Sequence, residues 1–319
     1  RMRSYYFCSY FNSNYLPFGL TLIRSLERYC EVPFTFYVLC LDQKTFNCLS
    51  KLNINAVELI KLSEIEKWDK SLLEVKSNRT LIEYYFTLSP ILPLYILNTF
   101  KVDIISSLDA DIMFFSSPTA IYEELSSKSI YIIEHRFREK FKDYIISGRF
   151  NVQCQLFRNN KTGLDCLSRW RKQCLEWCYD KYEDGKFTDQ KYLDEWPSIY
   201  NDELVISRNL GAGLAPWNVA GEDIFKSDDR FYVNNYPVVF FHFHGLKVFN
   251  RFIARTGLSA HGGKVTKTLR ELYILYLSNL YINKFKARKK SMRKQSYGLT
   301  RTFLSGIKHR DLIVKLNKF

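Results

Sequence analysis

The sequence lacks several features that would place it in a simple class. It has no run of about 18 apolar residues, so no helix that crosses a membrane is expected. Glycine and proline are scarce, at 13 and 8 of 319 residues, which excludes a fibrous or low-complexity chain. Hydrophobic residues make up 46% and aromatic residues 16%, which excludes an intrinsically disordered protein. The chain is therefore expected to fold around a full core, as one large domain or one domain with an appendage.

The cysteines form no recognisable disulfide or zinc pattern. There are eight of them, namely Cys8, Cys30, Cys40, Cys48, Cys154, Cys166, Cys174 and Cys178. Several lie inside apolar runs such as 36–40, where buried free thiols are favoured over disulfides. Cys174 and Cys178 are four residues apart, but no histidine or further cysteine pair completes a zinc set. Free thiols indicate a reducing compartment, so a cytoplasmic protein is expected.

Apolar strand-like runs alternate with amphipathic segments along most of the chain. Strands are predicted at 4–8, 34–41, 56–62, 104–108, 130–133, 150–157 and 238–243. Helical periodicity is found at 16–29, at 79–98 with interruptions at Pro90 and Pro93, and at 162–182, and a further short helix starts at 189. Nearly continuous apolar strands alternating with helices are typical of a mostly parallel sheet covered on both faces. The sequence therefore predicts a Rossmann-like α/β fold.

The net charge of +14 is concentrated at one end of the chain. Residues 264–319 hold 15 Lys and Arg but two acids, whereas residues 1–263 hold 32 basic and 31 acidic residues. We therefore expect a domain over 1–263 and a basic, amphipathic helical region over 264–319. Leu and Tyr at helical spacing beside the Lys/Arg cluster at 284–294 favour binding to an anionic membrane surface. A helix packed on the domain is the alternative, and no nucleic acid is expected because no binding motif is present.

Two aspartates directly follow one of the predicted strands. Asp109 and Asp111 lie between the apolar runs 104–108 and 112–115. In open parallel sheets, ligands bind at the carboxyl ends of strands. Burying two carboxylates between apolar flanks is costly unless a cation is bound, and carboxylates suit a divalent ion that also binds a diphosphate. The pattern favours a metal site over a solvated acidic turn.

Four motifs, in this order, resemble those of GT-A glycosyltransferases. They are Leu-Asp-Ala-Asp at 108–111, Phe-Asn-Val-Gln at 150–153, Asp-Gln-Lys-Tyr-Leu at 189–193 and His-Phe-His-Gly at 242–245. The most similar families are the retaining, glycogenin-like and lipopolysaccharide galactosyltransferase-like ones, with their bacterial surface-polysaccharide relatives. The resemblance covers about residues 4–250. It implies a GT-A fold, a UDP-hexose or other nucleotide-diphosphate sugar as donor, Mn²⁺ or Mg²⁺ as cofactor, and a glycan or lipid-linked acceptor.

The resemblance also assigns roles to individual residues. Asp109 and Asp111 match the metal-binding pair, and His242 matches the third ligand, with His244 as the alternative. Asp189 and Gln190 match the catalytic pair beside the anomeric carbon of the donor sugar. The positions that match donor-binding residues are Cys8, Ser9, Tyr10, Arg79, Asp109, Asn151, Gln153 and Lys247. Lys247 follows Gly245 by two residues, whereas the family's lysine follows by three.

Two loop segments lie outside these motifs. Small residues at 211–215 precede Trp217, which would suit either a plain loop or a sugar stacked on the aromatic face. Glu134, His135 and Arg136 directly follow a predicted strand and would face the cleft if that strand ends there. For both segments, an ordinary structural role remains open.

Two other function classes remain open. A sugar-1-phosphate nucleotidyltransferase also uses carboxylates and a metal ion, but the glycine-rich first loop typical of that class is absent after Cys8. A non-enzymatic basic protein that binds membranes or nucleic acid would leave the four motifs unexplained. The sequence favours the glycosyltransferase, peripheral on the cytoplasmic face of a membrane.

Overall fold

The fold is taken from a computed structural model of the chain. It describes residues 4–219, 224–250, 253–288 and 312–314. The helices are α1 (Leu16–Tyr29), α2 (Gln43–Leu52), α3 (Leu62–Trp68), α4 (Ser71–Lys76), α5 (Leu81–Thr87), α6 (Ile91–Phe100), α7 (Thr119–Leu125), α8 (Lys161–Glu176), α9 (Trp196–Ile199) and α10 (Lys267–Arg288). The strands are β1 (Tyr5–Phe11), β2 (Phe34–Cys40), β3 (Val57–Lys61), β4 (Ile104–Leu108), β5 (Ile112–Phe114), β6 (Ile130–Glu134), β7 (Phe150–Arg158), β8 (Leu204–Ile206), β9 (Ile224–Ser227), β10 (Arg230–Val233), β11 (Tyr236–Pro237), β12 (Phe240–His242), β13 (Lys247–Val248), β14 (Ile253–Arg255) and β15 (Leu312–Val314).

A mostly parallel sheet forms the centre of the described part of the chain. Its strand order is β3-β2-β1-β4-β7-β6-β8. Strands β1 to β4 run parallel and β8 runs parallel to β6, while β7 is antiparallel to both β4 and β6. One face is covered by α1, α2 and α7 and the other by α5, α6 and α8, with a hydrophobic core on each side. The predicted α/β architecture is confirmed.

The segment 79–98 forms two helices separated by residues 88–90, so the predicted interruption at Pro90 is found, whereas Pro93 lies inside the second helix. α5 begins with a capping box, in which Thr80 and Glu83 each bind the other's backbone N–H. Proline lacks an N–H and disfavours helical geometry in the residue before it, so α5 ends and α6 starts afresh after Pro90. The break leaves Ser89 at a bend, where it is buried.

A second, two-stranded sheet lies beyond the end of β4. β5 pairs with β12 in antiparallel fashion, and His242 lies opposite Ile112. The late strand predicted at 238–243 is therefore shorter than expected and belongs to this small sheet rather than to the central one. The pairing brings a histidine from late in the chain next to the aspartates that follow β4.

The apolar face of α10 packs into the core. This face is buried together with residues of β5 and β12, and it consists of Leu269, Leu272, Tyr273, Tyr276 and Leu280. The Tyr276 ring stacks on Phe243 with ring centroids 3.5 Å apart. The expectation that this face lies on a membrane is corrected, because the same helical spacing buries the face inside the protein. The basic cluster that follows lies largely outside the described residues, and the division at residue 263 stays a prediction.

Two further expectations concern the chain as a whole. All eight cysteines are free thiols, five of them fully buried, as the sequence indicated. Among the helices that the structure describes, none is both long enough and apolar enough to span a bilayer.

Because α10 is part of the core, its apolar residues should matter for stability. We expect Leu272→Ala, at a fully buried site, to lower the free energy of unfolding by about 2–5 kcal/mol. Ile282→Ala, on the same helix but 52% exposed, should change it by less than about 0.5 kcal/mol. Urea unfolding of both variants measures the difference. Equal, small effects would show that the helix is a separable appendage.

Candidate active site and metal centre

Three potential metal ligands converge where β4 ends. Asp109 and Asp111 flank Ala110 between β4 and β5, and His242 is the last residue of β12. The His242 Nε2 lies 3.0 Å from Asp111 Oδ1 and 3.6 Å from Asp109 Oδ2. One ligand atom from each of the three residues lies within 4.8 Å of the others. The structure thus brings together the three residues that the sequence resemblance assigned to the metal, and His244 is outside this group.

The electrostatics of the triad demand a positive charge between its members. Burial, reinforced by Asp111 and Asp189 and opposed by His242, raises the pKa of Asp109 to about 7. Burial alone would raise the pKa of Asp111 as well, but the adjacent His242 outweighs burial and lowers it. Burial would lower the pKa of His242, yet the hydrogen-bonded Asp111 outweighs it and the pKa rises. The two carboxylates and the imidazole therefore favour a positive charge among them, which is the condition for binding a cation.

The donor set fits a small divalent cation. Two carboxylate oxygens and one imidazole nitrogen are available within one site. Mg²⁺ is bound mainly by oxygen ligands, so the imidazole favours Mn²⁺ of the two ions that the resemblance implied. The remaining coordination positions would be open to a substrate.

Asp189 lies beside the triad in a buried position. The Trp170 Nε1 donates to its backbone oxygen at 2.8 Å, which fixes the start of the 3₁₀ segment Gln190–Glu195. Ser89 hydrogen-bonds to the Asp189 carboxylate and is 2.9 Å from the Tyr10 hydroxyl. Within the described residues Asp189 Oδ2 has no hydrogen-bond partner. Burial, only partly offset by Ser89, raises the pKa of Asp189 to about 6.

Asn151 and Gln153 reach the same place from β7. The Asp109 N–H donates to the Gln153 carbonyl at 3.0 Å, so this part of β7 lies directly beside the triad. The Asn151 Nδ2 donates to Gln190 Oε1 at 3.1 Å. The Gln153 side chain is fully buried, and neither its amide nitrogen nor its amide oxygen has a partner among the described residues. A buried amide without a partner is rare in proteins, and this one is available to hydrogen-bond to a polar ligand.

The other predicted donor-binding residues differ in their placement. Ser9 and Tyr10 lie near the carboxyl end of β1. Burial, together with the charges of Asp189 and Asp109, raises the pKa of the Tyr10 hydroxyl. The Cys8 side chain lies in the hydrophobic core, where burial raises the pKa of its thiol to about 12. Cys8 lies two residues before Tyr10 and therefore on the same face of the strand, and its assignment to the donor stays a prediction.

Arg79 and Lys247 lie on segments other than those that carry the triad. The Arg79 guanidinium donates to the Leu175 carbonyl at 2.8 Å and to the Thr87 hydroxyl, and lies over the Tyr179 ring. Lys247 is on β13, opposite Arg255 of β14. Their assignment to the donor stays a prediction.

Trp217 fills the space behind the metal ligands. It is 4% exposed, and the edges or faces of His135, His242 and His244 approach it with ring centroids 5.2–5.4 Å away. The idea of a sugar stacked on Trp217 is wrong, because histidine rings already occupy its surroundings. Ser89 is the residue near the site that sequence reasoning missed, and no signal in the sequence marks it. His135, which the sequence offered as a residue following a strand, is buried and hydrogen-bonds to Asn151.

Comparisons with known proteins agree with this architecture. No protein-family model matches the chain. It is 31% identical over 248 residues to the uncharacterized protein YfnD of Bacillus subtilis, covering 76% of this chain and 78% of YfnD. It is also 27% identical over 251 residues to the uncharacterized protein YfnF of the same organism, covering 76% of this chain and 82% of YfnF.

Two solved glycosyltransferases share the fold. The galactosyltransferase LgtC, in complex with donor and acceptor sugar analogues, gives a TM-score of 0.54 at 15% identity, covering 91% of this chain and 98% of LgtC. The apo form of mouse xyloside xylosyltransferase 1 gives a TM-score of 0.50 at 14% identity, covering 76% of this chain and 98% of that one. At such low identity the likeness establishes the fold, and the predicted GT-A fold is confirmed.

The raised pKa of Asp189 predicts how stability depends on pH. The folded chain keeps the Asp189 proton up to a pH of about 6, whereas the unfolded chain loses it near the ordinary value of 3.8. The free energy of unfolding contributed by this group therefore falls as the pH rises through that window and stays lower above it. The Asp189→Asn variant lacks this titration. The difference between its free energy of unfolding and that of the wild type should therefore rise by up to about 3 kcal/mol between pH 4 and pH 7.5.

Urea unfolding in metal-free buffer at the two pH values measures this difference. Asp202→Asn, at an exposed position, is the matched control and should show no such change. A gain in stability that is the same at both pH values would contradict the assignment.

Proposed function

The chain belongs to the same family as Bacillus subtilis YfnD and has the GT-A fold, and from this we propose that it is a metal-dependent glycosyltransferase. It would transfer a sugar from a nucleoside-diphosphate donor to a hydroxyl group of an acceptor. The observation that carries the proposal is the convergence of Asp109, Asp111 and His242 on one point beside Asp189. A metal-ligand triad next to a buried carboxylate suits a reaction in which a diphosphate leaves and a sugar becomes cation-like.

The polar atoms left without partners support a ligand in this cleft. They include the side-chain amide of Gln153, whose backbone carbonyl accepts from the Asp109 N–H, and the Asp189 Oδ2. Each buried unpaired group lowers stability by about 1–3 kcal/mol unless something binds it. A sugar carries several hydroxyl groups that both donate and accept hydrogen bonds, so it would satisfy an amide and a carboxylate together.

The reaction draws on the chain's own groups in distinct ways. A divalent ion held by Asp109, Asp111 and His242 would supply positive charge beside the leaving diphosphate. Asp189, with a pKa of about 6, is ionised in most molecules at neutral pH and places a negative charge near the sugar ring. Gln190 is held by Asn151 at its oxygen and by the Ser147 carbonyl at its nitrogen, 3.0 Å away. Its amide is therefore fixed before a substrate arrives, as an efficient active site requires.

The finer features of the reaction are proposed from the resemblance. The donor would be a UDP-hexose, the cofactor Mn²⁺ and the stereochemical outcome retention. The acceptor would be a glycan or a lipid-linked sugar of surface-polysaccharide or lipopolysaccharide synthesis. The shared fold with LgtC, whose structure holds donor and acceptor sugar analogues, supports a donor of this kind.

Association with an anionic membrane would depend on charge rather than on an apolar helix face. The apolar face of α10 is buried, so the support that remains is the run of Lys and Arg at 284–294. Basic residues near an anionic leaflet contribute about 1 kcal/mol each. Such binding would place the enzyme at the cytoplasmic face of the membrane, next to a lipid-linked acceptor.

The activity is tested by donor hydrolysis. Incubated with Mn²⁺ and a panel of nucleotide sugars, the chain should slowly hydrolyse one donor, releasing the nucleoside diphosphate. Asp111→Asn removes a metal ligand and should lower the rate by about a hundredfold or more. The control Asp202→Asn should keep the wild-type rate.

Hydrolysis that is equal in Asp111→Asn, or no donor bound at all, would refute the proposal. Pyrophosphate released from a nucleoside triphosphate and a sugar 1-phosphate would indicate a nucleotidyltransferase instead.

Membrane binding is tested with vesicles that contain anionic lipid. Replacing Lys289, Lys290, Arg293 and Lys294 together with Gln should weaken vesicle binding by about a hundredfold or more at low salt, at about 1 kcal/mol per charge. The control replaces Lys161 and Lys172, two exposed lysines of α8, and should bind as wild type does. Equal binding of both variants, or binding to nucleic acid but not to vesicles, would contradict the proposal.

A further inference from the structure

His135 is a buried histidine that the proposed chemistry does not use. It follows β6 directly, and its backbone N–H donates to the Arg149 carbonyl at 3.0 Å. The ring is 4% exposed, stacks on Phe137 at a centroid distance of 4.5 Å and meets the edge of Trp217. It is therefore held in one orientation by packing on both sides.

The neighbours of the ring determine which nitrogen carries the proton. Nδ1 lies 3.3 Å from the Arg149 carbonyl oxygen, and a carbonyl only accepts, so Nδ1 is the protonated nitrogen. Nε2 is then bare and accepts from the Asn151 Nδ2 at 2.9 Å. Burial lowers the pKa of His135 to about 3, so the ring is neutral at any physiological pH.

The Asn151 amide is oriented by backbone as well. Its Oδ1 accepts from the Gln153 N–H at 2.8 Å, and a backbone N–H only donates. The two hydrogens on Nδ2 consequently point to His135 Nε2 and to Gln190 Oε1. The Gln190 Nε2 in turn donates to the Ser147 carbonyl at 3.0 Å.

These hydrogen bonds form a chain that begins and ends on backbone carbonyls of one tight loop. It runs from the Arg149 carbonyl through His135, Asn151 and Gln190 to the Ser147 carbonyl, on either side of Gly148. Gly148 has φ +131°, and a Cβ there would lie 3.2 Å from Gln190 Cγ. The loop and the three side chains therefore depend on one another for their positions.

We propose that His135 is a positioning residue, whose bare Nε2 holds the Asn151 amide and thereby fixes the Gln190 side chain in the active site. The proposal rests on the proposed glycosyltransferase function for its catalytic consequence, but its geometric part does not. Without an acceptor at this point, Asn151 is left with a buried, unpaired N–H and turns away, and Gln190 loses the group that holds its oxygen.

Two variants with different acceptor properties test the proposal. His135→Gln can place an oxygen near the position of Nε2, whereas His135→Phe keeps the shape of the ring and offers no acceptor. We expect His135→Phe to lower kcat by about tenfold to a hundredfold, with the KM for the donor changed by less than about threefold. His135→Gln should restore kcat to within about threefold of wild type. A merely structural role would lower the Tm of both variants and leave the kcat of the folded enzyme equal.

The second measurement does not depend on activity. Long-range ¹H–¹⁵N NMR spectra of the wild-type histidines should show His135 protonated on Nδ1 and bare on Nε2 across the neutral pH range. Protonation on Nε2, or full activity of His135→Phe, would overturn the proposal while leaving the glycosyltransferase function intact. If the wild type hydrolyses no donor but the NMR result is as expected, the proposed function fails and the geometric role of His135 stands.

Discussion

The antiparallel pairing of β5 with β12 is the interaction on which the candidate site depends. Asp111 and His242 are far apart in the chain, and the Phe243 N–H meets the Asp111 carbonyl at 2.9 Å. The His242 N–H also donates to the Leu214 carbonyl at 2.8 Å, so backbone bonds place the imidazole against the aspartates. Below this small sheet, Tyr276 of α10 stacks on Phe243. α10 thus supports the strand that carries His242 but contributes no residue to the candidate metal-ligand triad.

The same arrangement places several carboxyl groups close together in surroundings that disfavour their charged forms. Asp109 and Asp189 both have raised pKa values because burial disfavours their charged forms, and the charge of Asp189 adds to the rise for Asp109. A fold that served stability alone would replace such groups, since unpaired buried polar atoms destabilise the folded state. The site is therefore best understood as a place shaped for a cation and a polar ligand that complete it.

Sequence reasoning reached the parts of this picture that depend on local pattern. The apolar strands and the aspartates after β4 are visible because strand ends and charge spacing leave a local signal, whereas the metal role of His242 was implied by the resemblance to GT-A glycosyltransferases. It could not tell what covers an apolar helix face, so the face of α10 looked the same for a membrane as for a core. It also could not see Ser89, since a serine before a proline carries no mark of the carboxylate it meets in the fold. Contacts between distant segments, not local propensity, decide these cases.

The distribution of charge explains why the proposed function depends on a metal ion. Residues 1–263 are nearly neutral, with 32 basic and 31 acidic residues, although the proposed donor carries a diphosphate. Arg79, one of the two basic side chains assigned to that donor, is held by the Leu175 carbonyl and the Thr87 hydroxyl. The groups that do converge in the described cleft are carboxylates, amides and a buried imidazole. A diphosphate placed there would be repelled by Asp109 and Asp111 unless a cation lay between them, so the same two residues that attract the ion also make donor binding depend on it.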